Sequence, residues 1–287
     1  MSEIGAVLGL LRARLEEAGI ADPAPDAELI VGHVLGVSRG RVQALALLGR
    51  ELTAEQLGRI EELAGERARR VPLQHLTGRA PFRSLELSVG PGVFVPRPET
   101  ETVAQFAIDS LQLVPSANPV AADLCTGSGA IALAIANEVA TARVWAVEKS
   151  PEAHAWASRN TAEWGQGRVE LLLGDALDPE LLAHLSAGVD VLVSNPPYVP
   201  LDMVPRDPEV RDHDPELALY SGADGLDLIR GISKVGLDLV RPGGLIVLEH
   251  AETQGEAIRR LLTADGWSAA ATHRDLTGLD RATTAVR

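Results

Sequence analysis

Asp190-Val-Leu-Val-Ser-Asn-Pro-Pro-Tyr-Val-Pro200 is the stretch on which the reading of the whole chain turns. Val191 to Val193 form an aliphatic, β-branched run suited to a buried strand, and it must stop at Asn195 because two consecutive prolines cannot donate to a ladder. Such a strand ends in a stiff polar corner. At the carboxyl edge of an open α/β sheet, where ligands bind, that corner offers the Asn195 amide oxygen and the Pro196 carbonyl as two fixed acceptors. A planar NH2 group has two hydrogens to give to such a pair. An amide nitrogen is a poor nucleophile because its lone pair is delocalised; holding both hydrogens while the Tyr198 ring covers one face aims that lone pair at an electrophile. Asn-Pro-Pro alone is equally well explained as an ordinary turn. It gains meaning only from what lies upstream.

Upstream, Pro119-Val-Ala-Ala-Asp-Leu124 reads as a strand, and Cys125-Thr-Gly-Ser-Gly129 as a glycine-rich turn into a helix over Ala130 to Val139. Glycines allow close backbone approach to a ligand. The next strand, Ala142 to Val147, delivers Glu148, placed to accept from both hydroxyls of a ribose. A third strand, Val169-Glu-Leu-Leu-Leu-Gly-Asp175, ends in a carboxylate able to accept from an adenine amine, though a surface or helix-capping aspartate is the plainer reading. No Gly-Lys-Ser/Thr phosphate loop is present, which disfavours a nucleoside triphosphate. The third glycine of Gly-x-Gly-x-x-Gly is missing, since Gly127 and Gly129 are followed by Ile131 and Ala132. Those two facts favour an adenosyl ligand without a pyrophosphate, such as S-adenosylmethionine.

The 287 residues allow one large domain or two modest ones. A hydrophobic content of 46% with 23% charged residues is that of a globular protein, no apolar run reaches the length of a membrane span, and the start lacks a secretory pattern, so a cytoplasmic location is expected. A lone Cys125 excludes an internal disulfide and a cysteine metal cluster. Net charge is −14: residues 1 to 75 carry 11 acids and 9 bases, and residues 76 to 287 carry 29 acids and 17 bases. A duplex-binding enzyme needs a basic footprint. A protein or small-molecule substrate fits better.

Residues 2 to 70 read as helices throughout, four or five in a bundle without visible catalytic chemistry. Ile4, Val7, Leu8, Leu11 and Leu15 share one face, Leu29 to Leu35 supply a second, and Leu57, Ile60 and Leu63 a third, behind the capping box Thr53-Ala-Glu-Gln56. His33 is expected in the core, and Arg67, Arg69 and Arg70 as a solvated helix end. Pro72 to Gly78 breaks the helical period, and Phe82 to Val89 alternates as a hairpin between domains. In Val93-Phe-Val-Pro-Arg-Pro-Glu-Thr-Glu101, Pro98 suits a helix's first turn and Glu99 and Glu101 its positive end; Arg97 is left to pair with a carboxylate of the cofactor or of the protein. Leu201 to Tyr220 reads as a long polar, mobile wall over the site. A helix after Gly222-Ala-Asp-Gly-Leu226, a turn at Pro242 into a strand ending at Glu249, a helix over 252 to 264 and strands Ser268 to His273 and Ala282 to Val286 complete an α/β sheet.

Together, Pro72-Leu-Gln-His-Leu-Thr-Gly78, Val95-Pro-Arg-Pro-Glu-Thr-Glu101, Thr126-Gly-Ser-Gly-Ala-Ile-Ala-Leu133, Asn195-Pro-Pro-Tyr198, Gly222-Ala-Asp-Gly-Leu226 and Asp275-Leu-Thr-Gly-Leu-Asp-Arg281 span nearly the whole chain. In these the sequence resembles the bacterial release factor glutamine methyltransferases. The Asn-Pro-Pro-Tyr corner by itself is shared with adenine and guanine amino methyltransferases; the Arg-Pro-Glu-Thr-Glu block is more particular. The resemblance implies a Rossmann-like class I methyltransferase sheet (residues 92 to 287) preceded by a helical bundle (1 to 75) for substrate docking and a hairpin linker (76 to 91). It implies S-adenosylmethionine as cofactor, no metal, and methylation of the glutamine in the Gly-Gly-Gln motif of peptide chain release factors. By position it assigns Cys125, Thr126, Gly127, Ser128 and Gly129 to the methionine part of the cofactor, Glu148 to the ribose, and Asn195, Pro196, Pro197 and Tyr198 to the glutamine; Asp175 and Ala176 are expected beside the adenine and Asn195 to border the cofactor as well, with Arg97 and Glu99 in support. Cys125 stands where glycine is usual, Glu148 where aspartate is usual, Ala176 where an aromatic often follows, and Asp214-Pro215 where Glu-Pro is more usual. A monomer without direct nucleic-acid or membrane contact is expected. The alternatives are a glutamine methyltransferase of a ribosomal protein and an adenine amino methyltransferase acting on DNA or RNA.

Overall fold

The computed structural model describes residues 2–287. The chain divides into two compact units: residues up to Arg79 together with Pro205–His213, and Ala80–Val204 together with Asp214–Arg287.

In the first unit, β1 (Ser2–Glu3) is followed by α1 (Ile4–Glu17), α2 (Pro23–Leu35), α3 (Arg39–Leu47), β2 (Glu51–Leu52), α4 (Ala54–Ala68) and α5 (Leu73–Thr77). Ile4, Val7, Leu11 and Leu15, one helical face of α1, pack with Ile30 and Val31 of α2 and Ile60 and Leu63 of α4. The capping box at Thr53 forms as its sequence requires: the Thr53 hydroxyl accepts from the Gln56 amide and the Gln56 side chain accepts from the Thr53 amide.

Several expectations for this unit need correction. The segment is not helical throughout, because β1 and β2 pair antiparallel. His33 is exposed rather than in the core, since α2 turns Ala27, Ile30 and Val31 inward and leaves both His33 and Leu29 outside. Nor is Pro72 to Gly78 a plain break, because it holds the short α5. Arg67 is not solvated: it is 8% exposed and its guanidinium donates to Asp26 and Glu209, both at 2.7 Å. Arg70 also donates to Glu209, at 2.5 Å, while Arg69 is the exposed one, as expected.

The second unit opens with the hairpin of β3 (Arg79–Phe82) and β4 (Leu85–Ser88), turning at Arg83 with φ +52°. Then come α6 (Thr100–Leu113), β5 (Val120–Leu124), α7 (Ala130–Glu138), β6 (Arg143–Glu148), α8 (Pro151–Trp164), β7 (Val169–Leu173) and β8 (Val189–Ser194). Pro98 lies in the turn just ahead of α6, not in its first helical turn, and Glu99 stands at the N-cap position without a side-chain capping bond. After β8 the chain supplies α9 (Pro208–His213), which belongs to the first unit, so Leu201 to Tyr220 is more than a loop. It returns for α10 (Asp227–Leu239), β9 (Val240–Glu249), α11 (Gly255–Asp265), β10 (Ser268–Arg274) and β11 (Asp280–Val286). The strand ending at Glu249 thus begins before Pro242, not after it.

The seven-stranded sheet runs β10-β11-β9-β8-β5-β6-β7. Only β11 runs against its neighbours. Side-chain alternation splits the core into two faces: Ala121, Val191, Val193 and Val247 join α6 and α7 on one, while Ala122, Leu192, Ile246 and Leu248 join α10 and α11 on the other. This is a three-layer α/β architecture with a mostly parallel sheet, as expected of a class I methyltransferase. Its inner strands are buried on both sides, as their continuous apolar runs dictate. Among the described residues no helix is long and apolar enough to cross a membrane.

Candidate active site

From β5 the chain crosses to β6 and β7 on one side, then returns as β8 on the other side of β5. That reversal opens a crevice at the carboxyl ends of β5 and β8. The glycine-rich turn and the Asn-Pro-Pro-Tyr corner both sit at this edge.

Cys125, Gly127 and Gly129 adopt φ of +64°, +59° and +86°. Three left-handed residues in five give a backbone that side chains disfavour, which is why glycine recurs there and why Cys125 is the strained member. The turn is braced from below. Asp123 Oδ2 accepts from the Thr126 hydroxyl at 2.6 Å and the Ala132 amide at 3.1 Å, and burial pushes its carboxyl up to about 7. Asn160 of α8 accepts from the Ser88 amide and donates to the carbonyls of Ser88 and Ser128, tying hairpin, helix and turn together.

Glu148, the last residue of β6, is buried, and burial raises its pKa. One oxygen accepts from the Gly127 amide and the other from the Ser150 amide, each at 2.8 Å. Each carboxylate oxygen keeps a second lone pair for a hydroxyl. A Cβ built on Gly127 would meet nothing within 4 Å, so the turn has an open face there. Acidic acceptor, open turn and absence of a phosphate cradle fit an adenosyl sulfonium. Asp175 is ion-paired with Lys149 at 2.8 Å, which lowers its pKa, and its other oxygen accepts from the Leu177 amide at 2.9 Å. Ala176 is buried against the α10 side of the sheet.

At the corner, the Ser194 hydroxyl donates to the Leu124 carbonyl and stitches β8 to β5. Asn195 Nδ2 donates to Thr100 Oγ1 at 3.4 Å. Among the described residues no donor meets Asn195 Oδ1 or the Pro196 carbonyl, so the acceptor pair is available. Pro196 and Pro197 are buried and rigid. The Tyr198 carbonyl accepts from Gln254 Nε2 at 3.0 Å, and burial drives its phenol pKa up, so the ring stays neutral. Arg97 pairs with Asp214 at 2.8 Å and stacks over Phe94, so its partner is a carboxylate of the protein. Glu99 is half-buried beside Thr100.

Four residues escaped the reading of the sequence. Asn160 and Gln254 give no local signal; their partners are remote. Thr100 lies within Arg97-Pro-Glu-Thr-Glu101 and by sequence reads only as part of a helix start. Glu249 did carry a signal, a charged residue closing the apolar run Leu245 to Leu248.

Known proteins resemble the chain over both of its parts. A family model described as "PrmC N-terminal domain" matches residues 6–78, and one described as "Methyltransferase domain" matches residues 121–205. A release factor glutamine methyltransferase of Streptomyces coelicolor is 49% identical over 274 residues, covering 95% of this chain and 94% of the relative. The chain belongs to the release factor glutamine methyltransferase family. A relative of the same name from Bifidobacterium longum is 44% identical over 283 residues, covering 96% of each chain. Among solved structures, a methyltransferase from Pyrococcus furiosus shares the fold at 17% identity, with a TM-score of 0.50 over 71% of this chain and 89% of that one. As a family member the chain is an enzyme, a methyltransferase that uses S-adenosylmethionine. Membership disfavours the ribosomal-protein and nucleic-acid alternatives.

Proposed function

We propose that this enzyme transfers a methyl group from S-adenosylmethionine to the side-chain amide nitrogen of the glutamine in the Gly-Gly-Gln motif of peptide chain release factors. The observation that carries the reading is the open acceptor pair of Asn195 Oδ1 and the Pro196 carbonyl, at the same sheet edge as the glycine-rich turn. S-adenosylmethionine supplies an electrophilic methyl carbon on a sulfonium. The protein's part is position and charge complementarity. Asn195 and Pro196 take the two amide hydrogens, Pro197 stiffens the corner, and the Tyr198 ring covers one face of the carboxamide. The nitrogen lone pair then faces the methyl carbon; as the N–C bond forms the C–S bond breaks, and the excess proton on nitrogen leaves to water.

Cys125, Thr126, Gly127, Ser128 and Gly129 border the methionine part of the cofactor in this reading. Glu148 accepts from the ribose, and Asp175 and Ala176 flank the adenine. Arg97, paired with Asp214, steadies the segment leading to Glu99 and Thr100. The functional division is a docking module over residues 1 to 75, a hairpin over 76 to 91 and the transferase over 92 to 287. The substrate is a protein, and we take the enzyme to act as a cytoplasmic monomer without direct nucleic-acid contact; the net charge of −14 supports the last point.

Labelled S-adenosylmethionine offered with a release factor, a ribosomal protein or nucleic acid tests the substrate. Label on the release factor, lost when its Gly-Gly-Gln glutamine is replaced, is the expected result. Label on either other arm alone overturns the proposal. Removing residues 1 to 75 should slow reaction with whole factor more than with a free Gly-Gly-Gln peptide; equal losses on both argue against docking.

A further inference from the structure

Glu249, still paired with Ala282 of β11, closes β9 beside the corner: β8 and β9 run parallel with Ser194 opposite Leu248, so the residues that follow, Asn195 and Glu249, lie side by side. The glutamate is 2% exposed, and its Oε2 is buried without a hydrogen-bond partner. A buried charge of this kind is costly to keep. Burial pushes its carboxyl up to about 7, opposed by the hydroxyls of Thr100 and Tyr198. Arg281 of β11 also favours the charged form and Glu99 opposes it. His250, the first residue after β9, meets Thr283 and the Ala251 carbonyl, and Arg281 is held by Asp275.

Thr100 is therefore a neighbour of both, its hydroxyl favouring the charged form of Glu249 and its oxygen facing Asn195. A threonine hydroxyl has one hydrogen to give, and an ionised carboxylate only accepts. With Thr100 donating to Glu249, the Thr100 oxygen is left to accept from Asn195, which is the 3.4 Å contact observed from Nδ2. We infer that Glu249 is a positioning residue which, through the Thr100 hydroxyl, holds the Asn195 amide with Nδ2 inward and Oδ1 toward the substrate carboxamide. The inference rests on the proposed role of Asn195 and adds what decides its orientation. A flipped Asn195 would present NH2 to NH2, two donors facing each other. Protonated Glu249 can itself donate to Thr100, which frees the threonine hydrogen for Asn195 and removes the preference.

The test measures initial rates of release factor methylation by the full-length enzyme between pH 5.5 and 9, with cofactor binding by calorimetry alongside. In the parent, kcat should rise with pH through the neutral range. E249Q and T100V should each lose on the order of tenfold in kcat, the scale of one hydrogen bond, with cofactor Kd within about twofold, and the doubly substituted enzyme should be no slower than the slower single variant. E249Q should flatten the neutral rise, which titration of His250 would leave in place. T100S, which restores the hydroxyl, should recover most of the rate lost in T100V. Parent kcat and an unchanged pH profile in E249Q and T100V, with N195A inactive, overturn the positioning role. Parent kcat in N195A instead overturns the reading of the corner itself. Should E249Q fail to fold, T100V against T100S decides: equal rates for the two overturn the relay.

Discussion

Glu148 Oε2 accepts a hydrogen bond from the Gly127 amide at 2.8 Å, so the acid ending β6 shapes the turn that follows β5. One carboxylate thus fixes the turn and, in the proposed reading, also faces the ligand. Glu148→Gln keeps the size but turns an NH2 toward one of the two amides it now accepts from. We expect cofactor affinity to fall by roughly 1–3 kcal/mol, the cost of an unsatisfied buried donor. Calorimetry with S-adenosylmethionine checks this; unchanged Kd would remove Glu148 from the cofactor site.

Asn195→Ala removes one of the two acceptors without touching the turn. By analogy with a lost oxyanion-hole donor, the barrier should rise by about 2.7–4 kcal/mol, seen in kcat with cofactor Kd retained. A parent rate in this variant would show that Asn195 does not hold the substrate.

Cys125 occupies φ +64°, where a side chain costs about 1–2 kcal/mol and glycine costs little on that account. Glycine loses more backbone entropy on folding, about 0.5–1 kcal/mol. Cys125→Gly should therefore stabilise by about 0.5–1 kcal/mol, read as a higher denaturant midpoint at constant slope.

Arg67 joins Asp26 and Glu209 in a buried cluster of the first unit. Arg67→Ala strands two carboxylates and should cost about 3–5 kcal/mol, measured by unfolding. Glu209 is raised by burial but held at about 2 by Asp207, Arg67 and Arg70. Its folded value is depressed, so its contribution is complete above about 4.5 and is lost as pH falls toward 2. Parent stability should drop in that window and the drop should shrink in Glu209→Gln.

Glu249 has the opposite sign. Its folded value is raised, from 4.5 to about 7, so the native state binds its proton more tightly and stability falls as pH rises between those values. Glu249→Gln should be more stable than the parent above pH 7, by up to about 3 kcal/mol, with no gain near pH 4. Equal melting temperatures of the two at pH 8 would show that no buried charge is being carried.

The apolar runs of β5 and β8 announced the parallel sheet, because a strand buried on both faces has no polar alternation to keep. The Thr53 capping box was equally legible, being closed within four residues. His33 and Arg67 were misread for one reason: a helical face is defined only up to rotation until a neighbouring helix picks the inward side, and Arg67's partner Glu209 lies 142 residues away.

By itself the sequence determined the corner at Asn195, where two prolines end a strand whatever surrounds it, and the turn at Gly127 and Gly129, whose backbone angles are a local property. Only the tertiary structure decided that Asn195 Nδ2 meets Thr100 and what holds Glu148 and Asn160 in place. Those outcomes depend on hydrogen bonds between strands and helices far apart in the chain, which no spacing along it records.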